Sequence, residues 1–224
     1  MIDLSKSYEF FQPDKLKGKI NIVGCGSVGS TVAENLVRCG VTSLVLWDFD
    51  TVEPPNVSNQ IFRQQDVGKP KVEALVDLLA DIDPDVRKKA IVKPNGWNGE
   101  MMQGIIVLAA DSMQVRRAIV EKHKGSPFVQ AVLDVRTRLT DAQHYAADWS
   151  SQVQKDNLWN SMDFSDEEAA AETQVSACGV TLGVATTVRL ISALCVNNII
   201  RFIKGEPLWR FVQIDGFSGL FNCF

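Results

Sequence analysis

The chain has 224 residues, of which 46% are apolar and 22% charged, and its formal net charge is −4. These values are ordinary for a soluble globular protein with one substantial core. A weakly acidic chain offers no electrostatic attraction for nucleic acid or an anionic membrane, so we expect neither as a partner.

The N-terminal residues 1–18 are largely polar with three aromatic side chains among them, and they lack the apolar run of a secretory signal peptide. We interpret them as a lead-in segment. The only apolar stretch of membrane length is residues 178–203, which contains Arg189, Asn197 and Asn198. Because these side chains are costly in lipid, we predict a long buried helix there.

Five cysteines are scattered along the chain without a C-x-x-C pair, and only two histidines accompany them. This pattern favours neither a disulfide framework nor a structural zinc site, so no zinc is expected. A reducing, cytoplasmic setting suits such cysteines best.

Apolar periodicity predicts alternating strands and helices up to residue 134. The predicted strands are residues 20–23, 44–47, 90–92, 104–110 and 128–133. One predicted helix begins after the glycine-rich run near residue 27, and two others cover residues 71–82 and 115–124. A turn and short helix are predicted at 96–102. This alternation is typical of a Rossmann-like, doubly wound α/β sheet.

Beyond residue 134 the pattern changes. Residues 143–149 alternate as an antiparallel strand does, and residues 208–214 predict a final strand after the long helix. Residues 150–173 are polar and acidic, which favours a flexible loop or a lid with a short helix. We therefore predict a single α/β domain over residues 1–224, mainly parallel, with antiparallel strands in its C-terminal half.

A glycine-rich run, GCGSVG, joins the first predicted strand to the first helix. Its glycines permit a tight turn and close backbone approach, and the helix N-terminus supplies unpaired N–H groups. The next strand ends in an acid that can accept a hydrogen bond from a ribose hydroxyl. The predicted nucleotide-binding residues are Gly24, Gly26, Ser27, Gly29 and Asp48. A glycine turn without a ligand is the alternative, and the motif alone does not separate ATP from NAD or FAD.

The following segment reads Asp48-Phe49-Asp50, then Asn56 and Gln60, then DVGKPK ending at Lys71. It resembles the ThiF/MoeB/ubiquitin-activating-enzyme family of adenylyltransferases. The pattern of that family is a strand ending in D-x-D, an N-x-x-R-Q run, and a D-x-G-x-x-K turn into a helix. The resemblance is strong over residues 15–111 and weaker to the end of the long helix.

The resemblance implies an enzyme that uses ATP and Mg²⁺ to adenylate the C-terminal carboxylate of a ubiquitin-like or sulfur-carrier protein ending in Gly-Gly. It assigns Asp48 to the ATP ribose, Asn56 to the phosphates or the metal, and Lys71 to the triphosphate. It assigns Asp111, at the end of the fourth predicted strand, to Mg²⁺. The alternatives are a solvated helix lysine for Lys71 and a helix N-cap for Asp111.

Three further motif positions, Asp50, Asn59 and Gln60, complete the implied nucleotide site. Asn59 stands where the family has an arginine that reaches the terminal phosphate. We expect Arg63, or a basic residue from a second subunit, to take its place, the alternative for Arg63 being a surface role.

Two other residues are candidates for the chemistry. Cys178 lies at the entrance to the long helix, where a helix N-terminus lowers a thiol pKa, and the alternative is a small buried hydrophobe. Arg136 follows Asp134 at the end of the last parallel strand, where it either orients a substrate carboxylate or forms a plain salt bridge.

Relatives in this family are usually dimers, so the resemblance implies a homodimer. Two other functions remain open. A catalytically silent nucleotide-binding partner subunit is consistent with Asn59. A nicotinamide- or flavin-dependent oxidoreductase explains the glycine run and Asp48, but gives no reason for Asn56, Lys71 and Asp111.

Overall fold

The computed structural model describes residues 2–177 and 182–224. Eight strands form one sheet within these residues: β1 (Ile20–Val23), β2 (Leu44–Trp47), β3 (Ile91–Lys93), β4 (Gly104–Leu108), β5 (Val129–Thr137), β6 (Asp141–Asp148), β7 (Phe211–Asp215) and β8 (Leu220–Cys223). Their order is β3-β2-β1-β4-β5-β6-β7-β8. The first five strands run parallel, and β6 to β8 are antiparallel. The predicted fold class is confirmed.

The carboxyl ends of the central strands lie level with one another. Val23 of β1 is in register with Trp47 of β2 and with Leu108 of β4, and Leu108 is in register with Asp134 of β5. Between β1 and β4 the strand order reverses, and open α/β sheets bind ligands beyond the strand ends at such a point. The loops after β1, β2 and β4 therefore meet at one edge.

Helices cover both faces of the sheet because the parallel strands are apolar on both sides. The helices are α1 (Ser27–Arg38), α2 (Lys71–Ile82), α3 (Val86–Lys89), α4 (Met113–His123), α5 (Gln152–Asn160), α6 (Asp166–Glu172) and α7 (Ala185–Ile203). One core contains side chains of α1, α2 and α7, and a second core contains side chains of α4 and α5.

The long helix α7 packs against α1 and against β5, β6 and β7. By length and composition it is the one helix of the described chain that would suffice to cross a membrane, but half of it is buried in the protein. Its buried Asn198 bonds to His144 Nε2 at 2.9 Å and donates to the Trp209 carbonyl at 2.9 Å. The predicted buried helix is confirmed over these residues.

Two predictions of local structure, a loop or a lid with one short helix at 150–173 and a turn with a short helix at 96–102, are only partly right. Residues 150–173 contain two helices, α5 and α6, because Ser151 and Ser165 accept hydrogen bonds from the backbone N–H groups of Gln154 and Glu168 as N-caps. Residues 96–102 contain no helix. There the Glu100 carboxylate accepts the N–H of residue 98 at 2.6 Å and stabilises a turn.

Candidate functional site

The glycine loop is closed against β4 on one side and α1 on the other. Gly24 has φ = +88°, and a Cβ there would lie 2.5 Å from the Ala110 nitrogen. A Cβ on Gly29 would lie 1.8 Å from the Gly24 carbonyl oxygen. Around Gly26, by contrast, the nearest atom to a Cβ would be Gln60 Nε2 at 3.9 Å. Packing therefore requires glycine at Gly24 and Gly29, whereas Gly26 leaves room beside the start of α1.

Asp48 directly follows β2 and points at this loop. Its Oδ2 accepts the N–H of Cys25 at 2.6 Å, and its Oδ1 accepts the N–H of Asp50 at 2.8 Å. Burial raises the pKa of Asp48 above its usual value, while these two backbone donors act in the opposite direction. A carboxylate has about four lone pairs, so it can still accept a ribose hydroxyl.

Lys71 begins α2 and returns the chain to the end of β2. Its backbone N–H donates to the Asp50 carbonyl at 2.9 Å, and its Nζ lies 2.7 Å from Asp50 Oδ2. The Lys71 side chain is buried, whereas the Asp50 side chain is 49% exposed. The buried Lys71 ammonium is thereby held by Asp50, which stands two residues after Asp48, the acid assigned to the ribose.

The loop between β2 and α2 carries three further predicted residues, Asn56, Asn59 and Gln60, and their side chains have different surroundings. Asn56 Oδ1 accepts the Glu53 N–H at 2.9 Å, which fixes the short 3-10 helix Pro54–Ser58. Asn59 Nδ2 lies 3.0 Å from where a Cβ of Gly183 would be. Gln60 Oε1 is buried and finds no hydrogen-bond donor among the described residues. Such an unpaired oxygen is costly, and a donor group of a bound ligand would satisfy it.

Asp111 follows β4 and is exposed. Within residues 2–177 and 182–224 its carboxylate has no hydrogen bond or ion pair. Ser112, and not Asp111, is the N-cap of α4, since its Oγ accepts the Val115 N–H at 3.2 Å. The N-cap alternative for Asp111 is therefore wrong, and its oxygens are available to a cation.

The oxygen ligands at this edge of the sheet suit Mg²⁺ only in part. The described residues contain no group of three or more His, Cys, Asp or Glu side chains that could hold a metal ion. Mg²⁺ is commonly bound by one or two carboxylates together with substrate phosphates and water. A single carboxylate at Asp111 fits an ion that arrives with a nucleotide.

Arg63 is not brought to this edge. Its Nε donates to Asp66 Oδ2 at 3.0 Å, and its Nη1 donates to Asp81 Oδ2 at 3.3 Å. Asp81 lies near the far end of α2, about 15 Å along the helix from Lys71. The structure thus gives Arg63 the surface role that the sequence left open, and the expectation that it reaches the terminal phosphate is not supported.

Cys178, the candidate catalytic cysteine, lies outside the described residues. Arg136 forms the salt bridge that was its alternative role, because its Nε donates to Asp134 Oδ2 at 2.7 Å. Its guanidinium also stacks over Tyr145 and Phe164, 4.7 and 5.2 Å from the ring centroids.

Sequence reasoning predicted only a loop or a lid with a short helix for part of the segment at this edge, which we call the strap: α6 and residues 173–177 and 182–184. Asp166 Oδ2 accepts the Ser112 hydroxyl at 2.9 Å, and its other oxygen accepts the N–H of Met113. Glu172, at the end of α6, pairs with Arg138. No residue of α6 is buried, and the contacts of Asp166 attach this helix beside Asp111.

Comparison with known proteins identifies the family. The model of the ThiF family matches residues 6–223. The chain belongs to the ThiF family.

Curated ThiF-family relatives are much longer than this chain. Ubiquitin-like modifier-activating enzyme 5 of Arabidopsis thaliana is 51% identical over 67 residues, which are 30% of this chain and 16% of that protein. The Dictyostelium discoideum protein of the same name is 47% identical over 66 residues, 30% of this chain and 17% of that one. The matched part is thus under a fifth of these relatives.

Solved structures share the ThiF-family fold over nearly the whole chain. E. coli MccB with MccA-N7isoASN has a TM-score of 0.73 at 18% identity, covering 95% of this chain and 66% of that one. PaaA has a TM-score of 0.71 at 17% identity, covering 95% and 74%. E. coli MccB with ATP has a TM-score of 0.68 at 19% identity, covering 95% and 64%. At these identities the likeness concerns the fold.

Proposed function

We propose that this ThiF-family protein is an adenylyltransferase that activates the C-terminal carboxylate of a ubiquitin-like or sulfur-carrier protein ending in Gly-Gly. One observation carries the proposal. The buried Lys71 ammonium and the Asp48 carboxylate lie at one strand end. They adjoin the open space at Gly26 and the buried Gln60 Oε1, which has no donor among the residues that the structure describes. A cation, a ribose acceptor and room for phosphate are what ATP requires.

In the proposed reaction a carboxylate oxygen of the carrier attacks the α-phosphorus of ATP. The bond from that phosphorus to the α,β-bridging oxygen breaks, and pyrophosphate leaves with the electron pair. Lys71 lowers the repulsion between the two anions, and its three N–H donors allow it to contact phosphate while keeping Asp50. Mg²⁺, held by Asp111 when it accompanies ATP, would supply further positive charge on the phosphates.

The relatives support this choice of substrate class. Ubiquitin-like modifier-activating enzyme 5 is named for activating such a modifier, and MccB has been crystallised with ATP and with MccA.

We further propose a homodimer in the cytoplasm, in which a basic residue of the second subunit supplies the charge that Asn59 lacks. Sedimentation analysis tests the dimer: a single monomeric species at assay concentration would contradict it.

Replacement of Lys71 by methionine tests the proposed site. Since Asp50 is half exposed, it remains hydrated when its partner is lost, so the free energy of unfolding should fall by only about 1 kcal/mol. Carrier-dependent ATP–pyrophosphate exchange should fall by at least about 100-fold, the loss expected when a positioned charge is removed from a developing anion.

Lys88→Met is the matched control, because Lys88 is exposed on α3. Thermal shifts with ATP–Mg²⁺ and with NAD identify the ligand. Stabilisation by NAD alone would refute adenylation and favour an oxidoreductase. Equal exchange in Lys71→Met and Lys88→Met would refute the assignment of Lys71.

A silent nucleotide-binding subunit is the second candidate. Asn59 carries no charge, and Arg63 is directed to Asp81, so the described residues provide no arginine for the terminal phosphate in the β2–α2 loop. Stabilisation by ATP without pyrophosphate exchange, even with the carrier present, would support this candidate.

A further inference from the structure

Arg116 is a buried arginine on the first turn of α4, with 6% of its surface exposed. Its Nε donates to the Ala110 carbonyl at 2.7 Å, and its Nη1 donates to the carbonyls of Val135 at 2.9 Å and Leu108 at 3.3 Å. Nη1 also pairs with the fully buried Asp134. One guanidinium thus joins the ends of β4 and β5 to the start of α4.

The carbonyls of Leu108 and Ala110 lie on the stretch of backbone between β4 and Asp111. The same stretch supports the glycine loop: the Ala109 N–H donates to the Val23 carbonyl at 2.8 Å, and Ala109 and Ala110 are the backbone that Gly24 approaches. Arg116 therefore supports the loop after β4. This loop carries Asp111, the candidate metal ligand, and also contacts the glycine loop.

A simple ion pair would not need an arginine here. Asp134 already has a second cation, because Arg136 donates to its other oxygen at 2.7 Å. What arginine adds is a planar fork that donates to several oxygens in fixed directions, which a lysine ammonium does not reproduce. The carbonyl contacts, rather than charge alone, explain the residue.

We propose that Arg116 is a positioning residue for adenylation, holding the Leu108–Ala110 backbone so that Asp111 faces a nucleotide bound at the glycine loop. The inference rests on the proposed function. It predicts that a change at Arg116 raises the Mg²⁺ concentration at the midpoint of a titration. A role in packing alone would lower stability and leave that midpoint unchanged.

The test is Arg116→Lys, which keeps a positive charge beside Asp134 and loses the fork. At saturating ATP, Mg²⁺ is titrated and its midpoint is read in two ways, from pyrophosphate exchange and from the ATP-dependent thermal shift. We expect both midpoints to rise by about 10- to 100-fold, the usual effect of losing a group that orients a metal ligand. ATP stabilisation without Mg²⁺ should be unchanged.

Arg201→Lys is the matched control. Arg201 also donates to a carbonyl, that of Pro207, and pairs with an acid, Glu206. It lies near the end of α7, about 24 Å along the helix from Ala185. We expect it to lower stability without moving the Mg²⁺ midpoint. If Arg116→Lys does not fold, Asp134→Asn provides the second variant, since it removes the negative charge that pairs with Arg116 but keeps an acceptor, and its midpoint should rise in the same direction.

The possible failures are distinguishable. Wild-type Mg²⁺ midpoints in a folded Arg116→Lys or Asp134→Asn protein, alongside active wild-type exchange, would overturn the positioning role and leave adenylation intact. A wild-type protein that neither exchanges pyrophosphate nor is stabilised by ATP–Mg²⁺ would overturn both.

Discussion

Two glycines of the same loop should respond oppositely to alanine. At Gly29 a Cβ would lie 1.8 Å from the Gly24 carbonyl oxygen and 3.1 Å from Ile22 Cγ2. The first of these is backbone, so the loop or α1 must shift. At Gly26 the nearest atom would be 3.9 Å away. Gly29→Ala should therefore damage the fold, and Gly26→Ala should damage only the binding of a ligand in the open space.

The magnitudes follow from the geometry. Overpacking costs about 1–3 kcal/mol, so Gly29→Ala should lower Tm by roughly 2–12 °C without any ligand. Gly26→Ala makes a poorer helix N-cap and should cost at most about 1 kcal/mol. If its methyl group occupies the path of a phosphate, the same overpacking energy raises the Kd for ATP by roughly 5- to 150-fold.

Differential scanning fluorimetry with and without ATP–Mg²⁺ measures both effects in one experiment. The expected result is a Gly29→Ala protein with a low Tm, and a Gly26→Ala protein with a nearly normal Tm that ATP raises less than it raises the Tm of the wild type. A Gly26→Ala protein that ATP stabilises as strongly as the wild type would refute the placement of the phosphates beside Gly26.

Two further predictions concern pH. Burial raises the pKa of Asp66, but hydrogen bonds from Arg63 and Lys69 outweigh it and hold that pKa below 3.8. Asp66 therefore stabilises the fold above pH 3.8 and ceases to do so as the pH falls through its folded pKa. Asp66→Asn should cost about 1–3 kcal/mol at pH 7, and urea unfolding should show this difference shrinking below about pH 4; a constant difference would contradict it. Burial lowers the pKa of His144 to about 4 from 6.5, so the unfolded chain takes up the proton first, and stability should fall between these values by roughly 3 kcal/mol as the pH is lowered. In His144→Gln this part of the pH dependence should vanish, and an unchanged urea profile would count against it.

The parts of the fold that the sequence predicted have a local cause. β1, β2 and α2 begin and end where the apolar pattern does, because Gly24, Asp48 and Asp83 interrupt it. Helices α5 and α6 were not separated because they carry few or no buried side chains and depend on serine caps. β8 was missed because it pairs only with β7 across a glycine turn.

The same distinction holds for the candidate site. The resemblance to the family predicted Asp48, Asp50 and Lys71 together, and the chain between them does return to the end of β2. That Arg63 reaches the terminal phosphate stays a prediction, and its contact with Asp81 could not be foreseen because only the fold of α2 brings these two residues together. Arg116 carried no signal, since nothing local shows that an arginine after Asp111 will turn inward.

The position of β7 beside β6 has a consequence for synthesis of the chain. β1 to β5, with Asp48, Lys71 and Asp111, precede Arg138, whereas α7, β7 and β8 come last. Domains generally fold as units, so the sheet is complete only after α7 and β7 have left the ribosome. Until α7 and β7 follow, β6 remains an open edge with one apolar face uncovered, a known starting point for aggregation. A ribosome that pauses between α5 and α7 would therefore leave the chain in its most vulnerable form.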